Sequence, residues 1–254
     1  TDFSAYLMDK IEYNDLIINA GVRLDYFDSD DYTLKNPGNP EVDRDAMMLA
    51  KDAWKKVDPF VILSPRIGLS FPVTDKTVFY LQYGKFAQMP SLDNIYFSTF
   101  TYARQIVRQG YYFLAPIGYG LEPEKTTSYE IGLRQQITEN AAFDVTAFYK
   151  NVKGLVQIIY QEPEPTAVIP GEYARYVNGD FATTKGMEFR LNLRRVNRLA
   201  SQINYTLTQA EGTQSNSNSS YGALYFNAQM PTTINPLDYS PTHTGSINLD
   251  YHYG

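Results

Sequence analysis

The sequence lacks cysteine, long apolar runs and an excess of basic residues. With no cysteine among its 254 residues, a disulfide framework, a Cys-ligated zinc site and a thiol nucleophile are excluded. No segment approaches the roughly 18 consecutive apolar residues of a transmembrane helix, which excludes a helical membrane protein. The formal net charge is -6, and because phosphate binding needs clustered Lys and Arg, we expect no nucleic-acid partner.

The sequence is also poor in histidine, the commonest general acid or base. Its two histidines are His243 and His252. If one of them faces one side of a strand, alternation puts the other on the opposite side, too far away for the two to act as a pair. Acid–base catalysis needs a base within hydrogen-bond reach of the reacting group. We therefore expect no catalytic residue, no metal site, no cofactor and no enzymatic activity.

Aromatic residues are abundant instead, with 22 Tyr and 14 Phe, and apolar residues alternate with polar ones. Between positions 16 and 27 every second residue is apolar, whereas Asn19, Arg23 and Asp25 lie between them. Successive side chains of a strand point to opposite faces, so this segment predicts a strand with one apolar and one polar face. The same pattern recurs at residues 60–72, 79–83, 129–137, 143–149, 187–193, 203–207 and 247–253.

A soluble antiparallel sandwich also alternates, but three features favour a transmembrane barrel. Several segments run for ten or more residues, whereas soluble strands average about five or six. Charged residues stand in mid-strand opposite an almost purely apolar face, which fits a water-filled lumen inside and lipid outside. Aromatic residues near the strand ends match the two interfacial girdles of membrane barrels; they are Tyr13, Tyr26, Phe27, Phe71, Tyr149 and Tyr253.

Short and long connections follow one another in strict alternation. Short turns are expected at residues 14–15, 73–76, 138–140 and 195–198, and long links at residues 28–58, 89–124, 161–180 and 211–240. In an up-and-down barrel every second connection lies at the same end, so the short turns share one rim. Outer-membrane barrels have short periplasmic turns and longer extracellular loops. The pattern therefore predicts a barrel of the bacterial outer membrane.

The segments add up to about nine strands, the first at residues 3–13 and the last ending near Gly254. Bacterial single-chain barrels have an even number of strands. We therefore expect an all-β, antiparallel, up-and-down transmembrane barrel that residues 1–254 form only in part. An open sheet edge in lipid leaves backbone groups unsatisfied, so both end strands should pair with strands outside this sequence. The start at Thr1 rather than Met fits a mature, trimmed or partial chain.

Several segments resemble the barrels of TonB-dependent receptors, especially those of the Bacteroidetes type. They are LIINAGVRLDY (16–26), SPRIGLSF (64–71) with YLQYGKFAQMPSL (80–92), LEPEKTTSYEIGL (121–133), residues 143–150, and YVNGDFATTKGMEFRL (176–191). These segments extend over nearly the whole chain and occur in the family's order. The resemblance implies the C-terminal portion of a barrel of about 22 strands with a plugged lumen.

The resemblance also implies a function and a set of partners. It implies a receptor that takes up a scarce nutrient, with no single ligand indicated. Implied partners are outer-membrane lipid, a plug domain and the remaining barrel strands, the TonB complex through the plug, and a surface lipoprotein. No plug or TonB-contacting box is identified in these residues, so both are expected elsewhere. A passive porin and a structural or adhesive barrel are the alternatives, and a plug encoded upstream would contradict the porin.

The link at residues 89–124 is rich in large aromatic residues and also carries arginines. Aromatic faces with guanidinium donors suit a flat or sugar-like ligand that enters from outside. The alternative, which we favour, is that the rings pack the loop against its neighbours. The candidate ligand-binding residues are Tyr96, Phe97, Phe100, Tyr102, Arg104, Tyr111 and Tyr112.

Charged residues on the polar strand faces form a second candidate set. In a receptor they could bind the plug or line a substrate path. Mutual pairing across neighbouring strands explains them equally well. The residues expected to face the lumen are Arg23, Asp25, Arg66, Glu130, Arg134, Glu188 and Arg190.

The first long link holds two further features. Residues 40–57 predict a short helix, because apolar residues repeat at helical spacing and Pro40 suits a first-turn position. Such a helix could cap the barrel or touch a partner protein, but docking on adjacent loops is the preferred interpretation. Asp28, Asp30 and Asp31 could bind calcium, yet the spacing lacks the glycine and the distal Glu of a dedicated loop. A solvated acidic turn is therefore preferred.

Overall fold

The structure, a computed structural model, describes residues 1–46, 48–96, 116–167, 173–220, 222–223, 233–238 and 241–253. Its first seven strands are β1 Asp2–Tyr13, β2 Leu16–Phe27, β3 Tyr32–Leu34, β4 Val42–Asp43, β5 Met48–Leu49, β6 Trp54–Lys56 and β7 Phe60–Thr74. The others are β8 Thr77–Gln88, β9 Glu124–Thr138, β10 Ala141–Gln161, β11 Tyr173–Val196, β12 Leu199–Gly212, β13 Asn235–Pro236 and β14 His243–Tyr251. A 3-10 helix, Lys51–Ala53, and one helical turn, α1 Leu92–Ile95, complete the described elements.

Nine of these strands are long and form one antiparallel sheet in up-and-down order. The order is β1, β2, β7, β8, β9, β10, β11, β12, with β14 beside β12 and the two-residue β13 at the end of β12. Tight turns at residues 14–15, 75–76, 139–140 and 197–198 join successive strands. Asn14 and Asn197 take positive φ angles of 52° and 56° there, which asparagine tolerates better than most residues. The predicted number of about nine strands, their order and their all-β class are confirmed.

Direct partners on neighbouring strands share a face, and one face of the sheet is apolar. One row of partners crosses seven strands: Ile18, Leu69, Leu81, Ile131, Ala147, Met187 and Leu207. We call this the outer face. Its side chains are not covered, since Leu81 is 38 % and Ile131 44 % exposed. An apolar surface of this extent needs a non-aqueous environment, which the lipid bilayer provides for a membrane barrel.

A tyrosine row borders the apolar part of the outer face on the side away from the short turns. It consists of Tyr83, Tyr129 and Tyr149, which are partners on β8, β9 and β10. Their ring centroids lie 5.2 Å and 6.3 Å apart. Tyrosines at this height match an interfacial girdle, because the ring is apolar and the hydroxyl can reach water.

The hairpin of β10 and β11 extends beyond the rest of the sheet, and this corrects the predicted loop at residues 161–180. β10 pairs with β9 only as far as Lys153, but continues beside β11 to Gln161. β11 already begins at Tyr173, so the link between the two strands is residues 162–172. The extension holds because its apolar side chains, including Val156 and Ile158, are buried against other loops.

The helix predicted at residues 40–57 is wrong. The segment contains β4, β5, the 3-10 helix Lys51–Ala53 and β6. The Asp43 carboxylate accepts hydrogen bonds from the backbone N–H groups of Asp45 and Ala46, which closes a turn and competes with helix formation. Two residues of the helical spacing, Ala53 and Trp54, instead pack into a tertiary cluster together with Leu49. Among the described residues, no helix is long and apolar enough to cross a membrane.

Candidate functional site on the inner face and in the long loops

The other face of the sheet, called here the inner face, carries the charged residues. Four of the predicted residues, Glu130, Arg134, Glu188 and Arg190, line one polar depression of about 710 Å³. Arg66 and Arg23 line a second depression of about 500 Å³, again with Glu130. That this face lines a lumen stays a prediction, but its residues lie together on adjacent strands.

Charge pairing accounts for part of this set. The Arg134 Nε donates to the Asp144 carboxylate at 2.5 Å, across β9 and β10. Asp144 is also the direct partner of Arg190 on β11, so one aspartate stands between two arginines in this row of partners. Arg23 donates to the buried Asp25 at 2.7 Å within β2. These contacts fit the alternative in which the charged residues pair with one another better than a row of unpaired charges.

Two inner-face arrangements were not predicted. The Tyr80 ring lies over Gly132, where an added Cβ would come within 2.1 Å of the ring, and its hydroxyl is 2.5 Å from the Thr146 hydroxyl. The Tyr80 side chain therefore reaches from β8 over β9 to β10. Arg66 stacks over the Phe86 ring with 4.4 Å to the centroid. Glycine inside a strand marks such close approaches, so Gly132 was the available sequence clue, whereas nothing local distinguished Asp144.

At the opposite end from the short turns, three connections pack into one loop assembly. Tyr119, from the link before β9, and Tyr173, at the start of β11, lie with their hydroxyl oxygens 2.9 Å apart. Tyr173 also donates to the Pro37 carbonyl at 2.9 Å, and Trp54 meets the Tyr119 ring edge-on at 6.1 Å. Burial raises the pKa of both tyrosines. They therefore remain neutral hydrogen-bonding groups.

Polar contacts extend the loop assembly at both sides of this aromatic centre. Asn36 donates to the Glu164 carboxylate at 2.9 Å, and the Glu164 N–H donates to the Gly38 carbonyl at 2.8 Å. The Asn178 amide donates to the carbonyls of Glu122 and Gly154, at 2.8 Å and 2.7 Å. The β10–β11 hairpin and its tip therefore bind both the link after β2 and the link before β9, and these loops form one packed structure.

The three aspartates after β2 do not behave as one solvated turn. Asp28 accepts from the Asp30 N–H at 2.9 Å, and Asp30 pairs with Lys56 at 2.7 Å. Asp31 is buried and accepts from the Gly120 N–H at 3.2 Å. Burial raises the pKa of Asp31, whereas the bond to Lys56 lowers the pKa of Asp30. In the part of the chain that the structure describes, no cluster of three metal-ligating side chains exists.

Of the predicted aromatic ligand site, one member can be placed. Tyr96 follows α1, is 49 % exposed and donates to the Ser29 carbonyl at 2.5 Å. Its ring therefore lies at the surface of the loop assembly, anchored through its hydroxyl. The other predicted members, Phe97, Phe100, Tyr102, Arg104, Tyr111 and Tyr112, lie outside the described residues.

The histidines are placed without a catalytic arrangement between them. His243 lies at the start of β14 as the partner of Leu207, on the outer face. Its Nδ1 is 2.7 Å from the Tyr205 hydroxyl. His252 follows the end of β14, nine positions further along the chain.

Comparison with known proteins agrees with this architecture. A family model described as "TonB dependent receptor-like, beta-barrel" matches residues 1–254. No curated protein sequence matches the chain. Among solved structures, the FrpB iron transporter of Neisseria meningitidis is similar, with a TM-score of 0.54 and 16 % identity over 86 % of this chain and 27 % of its own.

Two further solved structures resemble the chain to the same degree. The ferric-catecholate import receptor Fiu of Escherichia coli K12 has a TM-score of 0.56 and 16 % identity, over 98 % of this chain and 32 % of its own. The alcaligin receptor FauA of Bordetella pertussis has a TM-score of 0.55 and 16 % identity, over 100 % and 34 %. The chain thus spans about a third or less of these proteins. It belongs to the TonB-dependent receptor family as part of its β-barrel, a non-enzymatic barrel of the bacterial outer membrane.

Proposed function

We propose that the chain forms part of the barrel of a TonB-dependent transporter that takes up a scarce nutrient. The observation that carries the proposal is the division of one sheet into an uncovered apolar face and a charged inner face, with a packed loop assembly at one end. An apolar exterior, a polar interior and large loops at one end are features of outer-membrane barrels, including those that transport solutes. The inner-face depressions, bordered by Arg66, Glu130, Arg134, Glu188 and Arg190, would line the lumen.

The proposed partners are a plug domain in the lumen and the TonB complex that acts on it. The inner face supports this, since its two depressions present both signs of charge to whatever fills the barrel. The proposed ligand class starts from the similar proteins, two of which are described as iron or ferric-catecholate transporters. Ferric chelates are therefore the first ligands to test.

The decisive experiment compares uptake by the full-length receptor in cells with and without TonB. Cells that express the receptor are given a panel of labelled ferric chelates at limiting concentration. Energised import predicts accumulation of one chelate that disappears when TonB is absent. Uptake that continues without TonB, together with an open single-channel conductance, would identify a passive porin instead.

The ligand site itself is proposed at the aromatic loop. Tyr96 supports this, because its ring is exposed on the loop assembly while its hydroxyl is tied to Ser29. We infer that Phe97, Phe100, Tyr102, Arg104, Tyr111 and Tyr112 join it. Tyr96→Ala should weaken binding of the transported ligand to the purified receptor, whereas Tyr32→Ala, an exposed loop tyrosine outside this set, should not. Equal affinities for all three proteins would place the ligand site elsewhere.

A Bacteroidetes-type receptor with a surface lipoprotein partner is the narrower proposal. The ordered motifs at residues 16–26, 64–71, 80–92 and 121–133 support it. The experiment is affinity purification of the tagged full-length receptor from its native membrane. A lipoprotein in constant stoichiometry supports the proposal, and a receptor that purifies alone contradicts it.

A further inference from the structure

One pair of neighbouring long strands separates before either strand ends. The pairing of β7 with β8 stops at the row of Arg66 and Gly84. Beyond that row, residues 60–65 of β7 continue beside β2, and residues 85–88 of β8 continue beside β9. At the same end of the described sheet, every other pair of long strands stays paired to within one residue of a strand end. We call the gap between residues 60–65 and residues 85–88 the seam.

Local residues explain why the pairing stops at this row. Pro65 is the next residue of β7, and without a backbone N–H it cannot donate to a ladder. On β8, Phe86 would lie opposite Ser64 if the register continued, but its ring folds back over Gly84, where an added Cβ would come within 3.0 Å of it. Arg66 stacks over the same ring with 4.4 Å to the centroid. A single cation–π contact from β7 to β8 therefore closes the foot of the seam.

The seam lies on the loop side of the tyrosine row. Tyr83 of that row is paired with Ile67, one residue before the pairing ends. Unpaired backbone groups are costly in hydrocarbon, where no water replaces the missing partner. At and above the interface that the tyrosines mark, water can hydrate these groups. A divided wall is therefore tolerated at the seam, whereas it would not be tolerated in the apolar part of the sheet.

The loop assembly joins the two sides again above the seam. The link after β2 leads to β7 on one side, and it contacts the link before β9 and the start of β11 on the other. Asp31 accepts from the Gly120 N–H at 3.2 Å, and the Pro37 carbonyl accepts from Tyr173 at 2.9 Å. The seam is thus an opening with paired strands below it and packed loops above it.

Ser64 shows that the strand beside the seam is not fully satisfied in this arrangement. Its side chain is 1 % exposed, and its hydroxyl has no hydrogen-bond partner in the described part of the chain. Buried polar groups are nearly always paired with protein or ordered water. A buried unpaired hydroxyl next to an unpaired strand edge favours a wall with a second arrangement, in which the edge moves and the hydroxyl gains a partner.

We propose that the seam is a hinge in the barrel wall, with the contact of Arg66 and Phe86 as its latch. Strands β1, β2 and β7 form one side of the hinge, and β8 to β12 with β14 form the other. Below the seam the ladder holds the two sides together, and above it they move apart when the latch opens. Because the loop assembly rests on both sides, this movement changes how its segments meet. The proposal is independent of which nutrient the receptor transports.

The test is a pair of spin-label distances in the full-length receptor, measured by pulsed electron spin resonance in lipid nanodiscs. The upper pair, Leu24→Cys with Lys153→Cys, lies in one row of the outer face across the seam. The lower pair, Ile18→Cys with Ala147→Cys, lies in a row across the same strands where all of them are paired. Each row spans four strand spacings, about 19 Å. A hinge predicts a broad distance distribution for the upper pair and a narrow one for the lower pair.

The labels can be assigned without ambiguity. The 254 residues contain no cysteine, and any cysteine elsewhere in the receptor is first replaced by serine. All four labelled positions lie on the outer face, so the labels do not fill the interior of the barrel.

Substitutions at the latch give the expected change. Phe86→Leu removes the aromatic face and should raise the ratio of long to short upper distances about two- to fivefold, since an exposed cation–π contact contributes a factor of that size. Phe86→Tyr keeps an aromatic face and should leave the ratio unchanged. The matched control is Phe148→Leu, which removes the contact of Phe148 with Lys150, at 5.4 Å, on a strand that is paired on both sides.

The outcomes separate a hinge from a general loss of packing. A broad upper distribution that shifts in Phe86→Leu, but not in Phe86→Tyr or Phe148→Leu, supports the proposal. A narrow upper distribution, or one that Phe86→Leu leaves unchanged, overturns it, as does an equal shift in Phe148→Leu. The lower distance shows whether each variant is folded. If Phe86→Leu does not fold, Arg66→Gln removes the cation from the same contact and is held to the same outcomes.

Discussion

The strands near the short turns and the loop assembly at their other end differ in what covers their apolar side chains. In the sheet, Leu81 and Ile131 stay uncovered by protein, whereas in the loop assembly Ile158 is 0 % and Tyr119 2 % exposed. The sheet depends on lipid to remove its apolar face from water, while the loops bury their own. The sheet is determined by lipid on one face and water on the other. The loop assembly is determined by particular contacts between segments that are distant in the chain.

The strongest test of this difference places a charged residue on the apolar outer face. Leu133 lies between its partners Phe79 and Val145. Leu133→Arg should lower the free energy of unfolding in lipid vesicles by about 2–4 kcal/mol, because a guanidinium group near the middle of the bilayer loses its hydration. Gln82→Arg on the inner face is the control and should cost much less. Equal losses, measured by denaturant titration of the full-length receptor, would refute the assignment of the two faces.

A glycine test addresses the loop assembly. A Cβ at Gly118 would meet the Asn94 carbonyl oxygen at 1.7 Å, so Gly118→Ala must displace backbone. We expect local destabilisation of roughly 1–3 kcal/mol, as for other overpacked sites. Limited proteolysis of the folded receptor should show faster cleavage in the link before β9. Gly222→Ala is the matched control, since no atom of the described residues lies within 4 Å of its Cβ position, and similar cleavage rates for both variants would contradict the packed arrangement.

A smaller effect is expected at the tyrosine pair. Tyr173→Phe removes a hydroxyl that joins Tyr119 and Pro37, and a lost buried hydrogen bond costs about 1 kcal/mol. Hydrogen exchange of the loop amides should therefore become faster. Tyr129→Phe, in the exposed tyrosine row, should leave these amides unchanged, and a response in both variants would argue against a specific role for the pair.

The smallest predicted effect is a pH dependence confined to the loop assembly. Burial raises the pKa of Asp31 above its ordinary value of 3.8, so folding disfavours the ionised carboxylate. This unfavourable contribution is fully present above the raised pKa and fades as the pH falls through it toward the ordinary value. Asp30 has a lowered pKa and keeps its charge with Lys56 over that range.

The measurement is the protection factor of the Gly120 amide, which donates to Asp31. Protection should increase between pH 7 and the ordinary pKa of the carboxyl. Asp31→Asn removes the titration and should abolish the trend while keeping an acceptor for Gly120. A trend that persists in this variant would mean that another group causes it.

The sheet could be predicted because apolar and polar residues alternate every second position, just as the two faces of a strand do. For each apolar residue of the row from Ile18 to Leu207, the position in its own strand is enough to assign it to the outer face, without knowledge of its partners. The strand order followed from the alternation of short and long links. Both inferences use information that is local in the sequence.

The loop assembly could not be predicted, because its structure depends on partners that are distant in the chain. The apolar spacing at residues 40–57 looked helical, yet its members Ala53 and Trp54 pack in a cluster with Tyr119 and Ile117 of a remote link. Asp31 looked solvated but is buried under Gly120. Among the inner-face charges, Asp144 was not singled out, since its importance lies in its two cross-strand arginines.

The long hairpin of β10 and β11 is continuous with the barrel wall and also reaches the top of the loop assembly. Its residues beyond Lys153 belong to the same two strands that pass through the membrane, with a bulge at Gly154, where φ is +75°. Asn178 ties this bulge to the link before β9. A displacement at the outer tip is therefore passed along the same two strands into the wall, through a bulge that Asn178 holds in place.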